Sequence, residues 1–494
     1  MTAAAVPAAA LNQRLEAVQP HLDPSGASRP DQDAGTLLSA LLAACRRSGS
    51  MRDLWLLLVA TAGAWPDEQQ MRRAARLVPD TGDAAGQLRF LDLAFGIAAD
   101  SDGGRELDVV TGTVIVDVDF CARHDVHTGI QRVVRETVPR WAATHDILPV
   151  AWTDAYSSMR LLYEHEVPNV MAYQPRSSPP LPFSERAEVA PAATRLVVPL
   201  DCTIVLPEIP EPEASDVYAA AAQWSGNRLV AVGYDMIPVV SADLRPGWEA
   251  TRFVRYLGAV KHADAVAGIS RSATAEFAGF ARTLPAQGLR GPRVLEVFLP
   301  ASAPDQAATT VPKPPTGRPV IVCVGTHDPH KNHGVLVHAA ERLWRQGLDF
   351  ELVFAGGPGF GGPHNLCYEP LLRAHRPVRV LGRITDTELT ALLASASFSV
   401  FLSLHEGYGL PVAESLACGT PVVTSNYGSL QEIAEGGGCV TVDPRDDDAA
   451  TAAIGDLVRH PEKVAALRAE IVTRAPRTWD AYAAELWQVV EEVS

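Results

Sequence analysis

The stretch Phe398–Val423, FSVFLSLHEGYGLPVAESLACGTPVV, has the pattern of a buried strand, a glycine-broken turn, a helix and a second strand. Pro411 is typical of the first turn of a helix and Gly419 of its end. Glu406 and Glu414 lie eight residues apart, one in the turn and one in the helix. Because open α/β sheets bind ligands at the carboxyl ends of their strands, we expect both carboxylates at a binding site.

The turn between the two carboxylates has the composition of an anion site. Gly407 and Gly409 allow the backbone to approach a ligand, and the N-terminus of the following helix offers unpaired N–H groups. Such a site suits a sugar diphosphate, because N–H groups donate to phosphate oxygens and carboxylates accept from hydroxyls. Taken singly, Glu406 is also compatible with a solvated turn acid, and Glu414 with a glutamate favoured by the helix dipole.

The motif EGYGLPVAE, followed by ACGTPVV, resembles the nucleotide-sugar signature of the family 4 retaining glycosyltransferases, which have the GT-B fold. Upstream, VGTHDPHKNH (Val324–His333) resembles the phosphate-binding loop of these enzymes. TGIQRVVRE, which begins at Thr128, is similar to the first strand–helix connection of a subgroup that includes polysaccharide mannosyltransferases. The resemblance covers residues 320–444 closely and residues 114–272 more weakly.

The resemblance implies roles for the residues of the donor site. Glu414 is expected to hold the ribose hydroxyls, Glu406 the hydroxyls of the donor sugar, and Lys331 the departing diphosphate. The family usually has Arg just before this Lys, whereas this chain has His330, which is only partly charged at neutral pH. The other residues expected at the donor site are Gly407, Tyr408, Gly409, Leu410, Asn332, Gly325, Thr326 and Arg383.

In the GT-B fold the donor site faces a second domain across a cleft. Two earlier segments of this chain are expected to form that opposite wall. Gly129, Gln131 and Arg132 belong to the strand–helix connection that faces the cleft in the family. Arg132 is also compatible with an exposed helix residue. The segment YDMIP resembles the HDxIP segment of the family, whose His often touches the donor sugar; here Tyr234 takes that position and Asp235 follows it.

At 494 residues, the chain exceeds what one hydrophobic core usually serves. Alternating strand and helix patterns predict two doubly wound Rossmann-like domains that face a cleft, preceded by a small all-helical region. The predicted boundaries are 1–105 for the helical region, 106–305 for the acceptor domain, 306–318 for a linker, 319–475 for the donor domain and 476–494 for a helix that crosses back to the first domain. The helical region is predicted to serve docking or oligomerisation.

The amino-acid composition limits the kinds of partner and the cellular location that we expect. The formal net charge of −16 argues against a nucleic-acid partner. Seven scattered cysteines without a CxxC pair are typical of reduced core residues. The N-terminus lacks the pattern of a signal peptide, and the most apolar early stretch, Leu54–Ala64, is about half the length that spans a bilayer. We therefore expect a cytoplasmic protein, with peripheral contact at the inner face of the membrane left open.

Two short patterns suggest other chemistry. Asp117-Val118-Asp119 fits the DxD pattern of metal-binding glycosyltransferases, but a manganese site needs an oxygen-rich surrounding that the sequence does not place nearby. We therefore expect no metal and no cofactor. Gly357, Gly359 and Gly362 fit the GxGxxG fingerprint of a dinucleotide-dependent oxidoreductase, but prolines interrupt the turn.

The sequence predicts a retaining glycosyltransferase that moves a hexose from a nucleotide-diphosphate sugar to a glycan, lipid-linked or small-molecule acceptor. GDP-mannose is the favoured donor because of TGIQRVVRE, and UDP-linked donors stay open. A non-catalytic sugar-binding or scaffold protein is the main alternative, since a fold does not guarantee activity. His330 and Tyr234, which depart from the family pattern, keep that alternative open.

Overall fold

The computed structural model describes residues 8–24, 32–98, 104–173, 195–300, 317–360, 367–475 and 477–494. Within these ranges, a group of helices is followed by two α/β domains and a final helix. The predicted linker at 306–318 lies outside the described residues, apart from its last two positions.

The first group of helices begins at well-defined polar caps. Asp33, Ser50, Asp67 and Asp83 each accept a hydrogen bond from a backbone N–H in the first turn of the helix that follows. The third of these helices is buried on all sides over Leu54–Ala62. The helices are α1 (Ala8–Leu22), α2 (Ala34–Ser48), α3 (Met51–Ala62), α4 (Glu68–Leu77) and α5 (Ala84–Ile97).

The first domain is built on a sheet with nine strands among the described residues. They are β1 (Leu107–Thr111), β2 (Val114–Asp117), β3 (Ile147–Trp152), β4 (Met159–Leu161), β5 (Leu196–Leu200), β6 (Thr203–Leu206), β7 (Arg228–Gly233), β8 (Ala265–Gly268) and β9 (Arg293–Glu296). Their order is β1-β5-β4-β3-β2-β6-β7-β8-β9, and β4 runs antiparallel to both of its neighbours in an otherwise parallel sheet.

Helices of the first domain connect these strands and cover the sheet. They are α6 (Asp119–Arg123), α7 (Gly129–Thr144), α8 (Val167–Met171), α9 (Pro212–Trp224), α10 (Ile237–Val240), α11 (Gly247–Val260) and α12 (Arg271–Ala281). The segment between β2 and α7, which includes α6, and the loop between β7 and α10 both begin at carboxyl ends of strands. This is the sheet edge where α/β folds bind ligands.

The N-terminal helices share one hydrophobic core with the first domain. Trp65, just after α3, makes edge-to-face contacts with the rings of Trp55, Trp152 and Tyr218, at centroid distances of 5.3, 5.3 and 6.1 Å. Large buried aromatic rings dominate the energetics of a core. The apolar faces of these helices are therefore covered by the first domain.

The second domain has a six-stranded parallel sheet in the order β12-β11-β10-β13-β14-β15. The strands are β10 (Val320–Val324), β11 (Glu351–Ala355), β12 (Val378–Val380), β13 (Phe398–Phe401), β14 (Val422–Ser425) and β15 (Cys439–Val442). Because β10 and β13 are neighbours, the loops that follow them lie side by side at the carboxyl edge of the sheet. The phosphate-loop motif and the carboxylate motif therefore meet in space.

The helices of the second domain follow the predicted alternation. They are α13 (His333–Arg345), α14 (Glu369–Arg373), α15 (Asp386–Ser395), α16 (Leu410–Ala417), α17 (Gly428–Ala434), α18 (Asp447–Arg459) and α19 (Pro461–Val472). The final helix, α20 (Trp479–Val493), packs against the first domain, where the indole N–H of Trp141 donates to the carbonyl of Ala483 at 2.9 Å.

The two domains make close contacts between α12 and α17. The spacing of Ser429 and Glu432 predicts a capping box for α17, but the Glu432 carboxylate instead accepts the backbone N–H groups of Arg271 and Ser272, both at 2.8 Å. It thus satisfies the first turn of α12, a helix of the other domain. The domains are therefore joined by side chain–backbone bonds as well as by packing.

Candidate functional site

A cavity of about 500 Å³ lies between the two domains, at the carboxyl edges of both sheets. The predicted site residues that line it are Lys331, Glu406, Glu414, Gly407, Tyr408, Gly409, Leu410, Gly325, Thr326, Arg383, Gly129, Arg132, Tyr234 and Asp235. Its lining does not include Gln131, His330 or Asn332. Most of the predicted site is thus assembled from loops that are far apart in the sequence.

Glu406 is paired within its own domain. Its Oε1 accepts a hydrogen bond from Lys331 Nζ at 2.6 Å and one from Ser403 Oγ at 2.6 Å. The lysine lies in the loop after β10 and the glutamate in the loop after β13, so the parallel pairing of the two strands sets this contact. The side chains of Lys331 and Glu406 are 15% and 10% exposed, which leaves both within reach of the cavity.

Glu414 is paired across the cleft. Its Oε1 accepts a hydrogen bond from Nη1 of Arg132 at 2.5 Å. Burial raises the pKa of the Glu414 carboxyl to about 7; Arg132 opposes that shift, and the negative charge of Asp386 adds to it. The carboxylate predicted to bind ribose is therefore held in place by the first domain, and it titrates near neutral pH.

The two glycines of the EGYG turn are required by packing within the protein. A Cβ atom on Gly407 would lie 2.2 Å from the backbone oxygen of Tyr234 in the first domain. Gly409 has a φ of 108°, and a Cβ atom there would lie 2.4 Å from Leu430 Cδ2. Their close approach is to the neighbouring domain and to α17, whereas the sequence predicts close approach to a ligand.

The N-termini of α7 and α16 lie close together in the lining of the cavity. A Cβ atom on Gly129, the first residue of α7, would lie 3.0 Å from Cδ1 of Leu410, the first residue of α16. First-turn N–H groups and the helix dipole favour an anion at such a point. With Lys331 in the same cavity, this region can hold a diphosphate between the domains.

His330 lies behind the cavity wall. Its carbonyl accepts the N–H of Leu404 at 2.7 Å, and its Nδ1 lies 3.3 Å from Nη1 of Arg245. Burial lowers the pKa of His330 to about 2, and the neighbouring charge of Lys331 adds to that effect. The imidazole is therefore neutral at physiological pH, and it does not supply the positive charge of the Arg usual in the family.

Asn332 and Gln131 hold loops together and do not line the cavity. Asn332 adopts a left-handed conformation with a φ of 55°, and its Nδ2 donates to the carbonyls of Leu402 at 3.1 Å and Pro444 at 2.8 Å. The Gln131 amide oxygen accepts the backbone N–H of Thr128 at 3.3 Å, at the start of α7. Both side chains shape the walls that carry the site.

Tyr234 and Asp235 face different surroundings, although they are adjacent. The Tyr234 hydroxyl donates to the carbonyl of Pro207 at 2.6 Å, inside the first domain, so its polar group is directed away from a sugar in the cavity. Asp235 accepts the N–H of Ile237 at 3.0 Å, and burial raises its pKa to about 6. Both residues line the cavity, but the Tyr234 hydroxyl is bound to a carbonyl inside the first domain.

The structure adds residues that the sequence did not reveal. Asp386 and His127 line the cavity, and His127 Nε2 lies 3.8 Å from Asp386 Oδ2. Asp386 is the first residue of α15 and follows the N-cap Thr385, so in the sequence it looks like an ordinary helix-start acid. Only the three-dimensional position of α15 places its carboxylate in the cleft.

The Asp117-Val118-Asp119 pattern is used for internal bonds. The Asp117 carboxylate accepts the indole N–H of Trp152 at 3.0 Å and the hydroxyl of Tyr218 at 2.6 Å, and Asp119 pairs with Arg123 at 2.7 Å. Throughout the described ranges, no group of three or more His, Cys, Asp or Glu side chains is arranged to hold a metal ion.

Gly357 and Gly359 of the GxGxxG pattern lie beside the phosphate-loop motif. A Cβ atom on Gly359 would lie 2.5 Å from Asp328 Oδ1, and the N–H of His327 donates to the carbonyl of Gly357 at 3.0 Å. Gly362 lies outside the described residues, and the next described helix begins at Glu369. Gly357 and Gly359 pack one loop against another, which accounts for these two glycines without a dinucleotide.

Comparison with known sequences agrees with the second-domain motifs. Residues 306–474 match the model of the family described as glycosyl transferases group 1. The serotype-specific mannosyltransferase WbdA of Escherichia coli is 26% identical over 378 residues, which are 72% of this chain and 42% of WbdA. A GDP-mannose-dependent alpha-(1-6)-phosphatidylinositol monomannoside mannosyltransferase of Mycolicibacterium smegmatis is 31% identical over 252 residues, 48% of this chain and 60% of that protein. The matched region thus spans less than half the length of WbdA.

Comparison with solved structures identifies the fold. Sucrose-phosphate synthase from Thermosynechococcus elongatus superposes with a TM-score of 0.52 at 19% identity, covering 77% of this chain and 99% of that one. Anabaena HepE, solved in complex with UDP-glucose, gives a TM-score of 0.50 at 15% identity, with the same coverage. The chain has the GT-B fold. The predicted fold class is confirmed, and the GT-B cleft is the cavity that holds Glu406 and Glu414.

No helix among the described residues combines the length and the apolar character needed to cross a membrane.

Proposed function

We propose that the chain is a retaining glycosyltransferase that moves a hexose from a nucleotide-diphosphate sugar to a hydroxyl group of a glycan or similar acceptor. The observation that carries this proposal is the meeting of Lys331, Glu406 and Glu414 with the N-termini of α7 and α16 in one cavity. The cavity offers donors for a diphosphate and acceptors for hydroxyls within one cleft.

In this proposal the first domain and the second domain both stabilise the leaving group. As the bond between the anomeric carbon and the β-phosphate oxygen breaks, the electron pair stays on the phosphate. Lys331 and the N–H groups at the two helix starts stabilise this charge, because fixed dipoles and cations aimed at a developing charge lower the barrier. The acceptor oxygen then bonds to the anomeric carbon, and its proton passes to the phosphate oxygen.

Retention is proposed from the resemblance of the EGYGLPVAE and VGTHDPHKNH motifs. The acceptor would attack on the face that the diphosphate leaves, and we assign no covalent nucleophile. NMR measurement of the anomeric configuration of the product tests this point; an inverted product would contradict it.

GDP-mannose is the proposed donor. Several relatives carry mannosyltransferase names, among them the GDP-mannose-dependent enzyme of M. smegmatis. The Asp386 carboxylate, which lines the cavity and is 40% exposed, adds a chemical argument. Guanine presents N–H and NH₂ donors side by side, which a carboxylate can accept together, whereas uracil presents a single N–H between two carbonyls.

The activity is tested by release of nucleoside diphosphate across a panel of sugar nucleotides, with and without a chelator. We expect release from GDP-mannose that the chelator does not abolish, since we propose no metal in the reaction. Lack of release from every donor would contradict transfer and favour the scaffold alternative. Inhibition by the chelator that manganese reverses would contradict only the proposal of metal independence.

The choice of base is tested by thermal shift with GDP and with UDP. A ligand that binds only the native state stabilises it by about 2.7 kcal/mol at a concentration of 100 times its Kd. We expect a higher Tm with GDP than with UDP, and a loss of this difference in D386N. A shift with UDP alone would overturn the proposed base.

A further inference from the structure

Arg132, which the sequence placed on the acceptor side, contacts the donor side of the cleft. We infer that Arg132 is a donor-positioning residue: it holds the Glu414 carboxylate ready for the ribose, so that the nucleotide site is complete only when the first domain lies against the second. This inference rests on the proposed function and extends it to the residue that controls nucleotide binding.

The geometry of the pair supports a positioning role. Arg132 Nη1 lies 2.5 Å from Oε1 of Glu414, and the two side chains are only 9% and 10% exposed. The Arg132 guanidinium also lies over the ring of Trp479, 5.9 Å from its centroid, so α20 helps to fix its direction. An arginine held by these contacts has little freedom to leave the carboxylate.

The pair leaves one oxygen of Glu414 for a ligand. Oε1 is occupied by Arg132, and no described residue donates a hydrogen bond to Oε2. Because Glu414 lines the cavity, a ribose hydroxyl can donate to this second oxygen while the arginine stays bound. Nucleotide binding therefore does not require the pair to break.

The groups around Glu414 show why a cation is needed there. Asp386 of α15 adds negative charge, and Cys418 lies one turn further along α16. His127, beside Asp386, has its pKa lowered to about 4 by burial and is neutral at pH 7. Burial favours the protonated form of the Glu414 carboxyl, and among these groups Arg132 alone opposes that effect. A protonated carboxyl would be a weaker acceptor for ribose.

The test compares R132M with the wild type by calorimetric titration of GDP, with UDP in parallel, from pH 6 to pH 8.5. We expect R132M to bind at least about tenfold more weakly at pH 7, because one charge-assisted bond corresponds to about a factor of ten or more. The ratio of the two affinities at each pH cancels the ionisation of the nucleotide itself. The wild-type affinity divided by the R132M affinity should fall as the pH rises, since the Glu414 carboxyl of R132M ionises only at higher pH. The loss of affinity that remains at high pH reports a carboxylate that is no longer held in place.

Three further variants sharpen this test. R132K keeps the positive charge. The midpoint of the pH dependence of its nucleotide affinity should therefore stay near that of the wild type. R140M, on the exposed side of the same helix and paired with Asp480, is the matched control and should bind as the wild type does. The double variant R132M/E414Q should bind no more weakly than E414Q, because the arginine is inferred to act through Glu414.

An affinity of R132M equal to that of the wild type, or a loss of affinity that does not change with pH, would overturn the inference. If R132M does not fold, R132Q replaces it, since its amide can still donate to the carboxylate without a charge. Failure of the wild type to bind any nucleoside diphosphate would instead contradict the proposed function, so the two failures are distinguishable.

Discussion

The loop that carries Glu406 and the helix that carries Glu414 differ in the origin of their positive partners. Glu406 is paired with Lys331 of its own domain, through two neighbouring strands of one sheet. Glu414 is paired with Arg132 of the other domain, 282 positions away in the sequence. The Glu406 pair is therefore formed by the second domain alone, whereas the Glu414 pair exists only when the two domains meet.

This difference predicts separate roles for the Glu406 side and the Glu414 side of the site. In the proposed reaction the Glu406 side contacts the reacting sugar, and it should keep its geometry when the cleft opens. The Glu414 side should lose its counter-charge on opening, so donor release and domain opening are expected to favour each other. Variants at the two sides should therefore affect different kinetic constants.

The largest effect is expected from Gly407→Ala, which breaks the meeting of the domains. The new Cβ atom would lie 2.2 Å from the backbone oxygen of Tyr234, so the domains must move apart. A displacement of about 1 Å can reduce turnover by about a hundredfold. Steady-state kinetics with circular dichroism measures this loss in a folded protein; normal turnover would show that this contact is not needed for activity.

Glu406→Gln should reduce kcat by about ten- to a hundredfold, because a charge-assisted bond to the reacting sugar corresponds to about 1.5–3 kcal/mol. Binding of the nucleoside diphosphate should stay near the wild-type value, since this side chain is assigned to the sugar. Calorimetry and initial rates check the two parts separately. Unchanged kcat in an active enzyme would contradict the assignment.

Glu414→Gln should show the opposite pattern. Nucleotide affinity should fall about tenfold, while kcat at saturating donor should change little, because a bond present in both the ground state and the transition state is uniform binding. In the wild type, affinity should rise as the pH increases through about 7, since ionised Glu414 is the better acceptor. The wild-type affinity divided by the affinity of the variant, a ratio that cancels the ionisation of the nucleotide, should therefore rise with pH, and a titration series of both proteins over pH checks this.

The smallest effect is expected from Gly129→Ala, the counterpart of Gly407→Ala on the first domain. Its Cβ atom would lie 3.0 Å from the tip of the Leu410 side chain, which can rotate away. An added methyl group costs about 1–3 kcal/mol in a well-packed core, and a side-chain tip that can rotate away avoids most of this cost. We expect nucleotide affinity and kcat within about threefold of the wild type, measured beside Gly407→Ala; a hundredfold loss would show that α7 is as tightly constrained as the EGYG turn.

Local sequence signals predicted the strands and the helix that carry the candidate site. The stretch from Phe398 forms β13, a turn, α16 and β14, because its apolar runs, Pro411 and Gly419 act over a few residues. Lys331 and Glu414 line the same cavity because of the order of the strands in the second sheet. The resemblance to GT-B proteins supplied that order. The first feature is local, and the second depends on a strand pairing that GT-B proteins share.

Features that depend on distant contacts were not predicted. Nothing near Arg132 in the sequence indicates Glu414 as its partner, and nothing near Tyr234 shows that its hydroxyl turns toward Pro207. The short strands β1 and β4 were also not predicted from the sequence, because their stability comes from pairing with β5 and not from a long apolar run. Tertiary packing decides each of these cases.

The N-terminal helices have a consequence for how the protein can be handled. Since the Trp65 ring lies between Trp55, Trp152 and Tyr218, a chain shortened to begin at residue 105 would open the aromatic interior of the first domain to water. Contiguous apolar surface of that kind promotes aggregation. The smallest unit that can be expressed and crystallised with its first sheet intact therefore includes the helices that precede it.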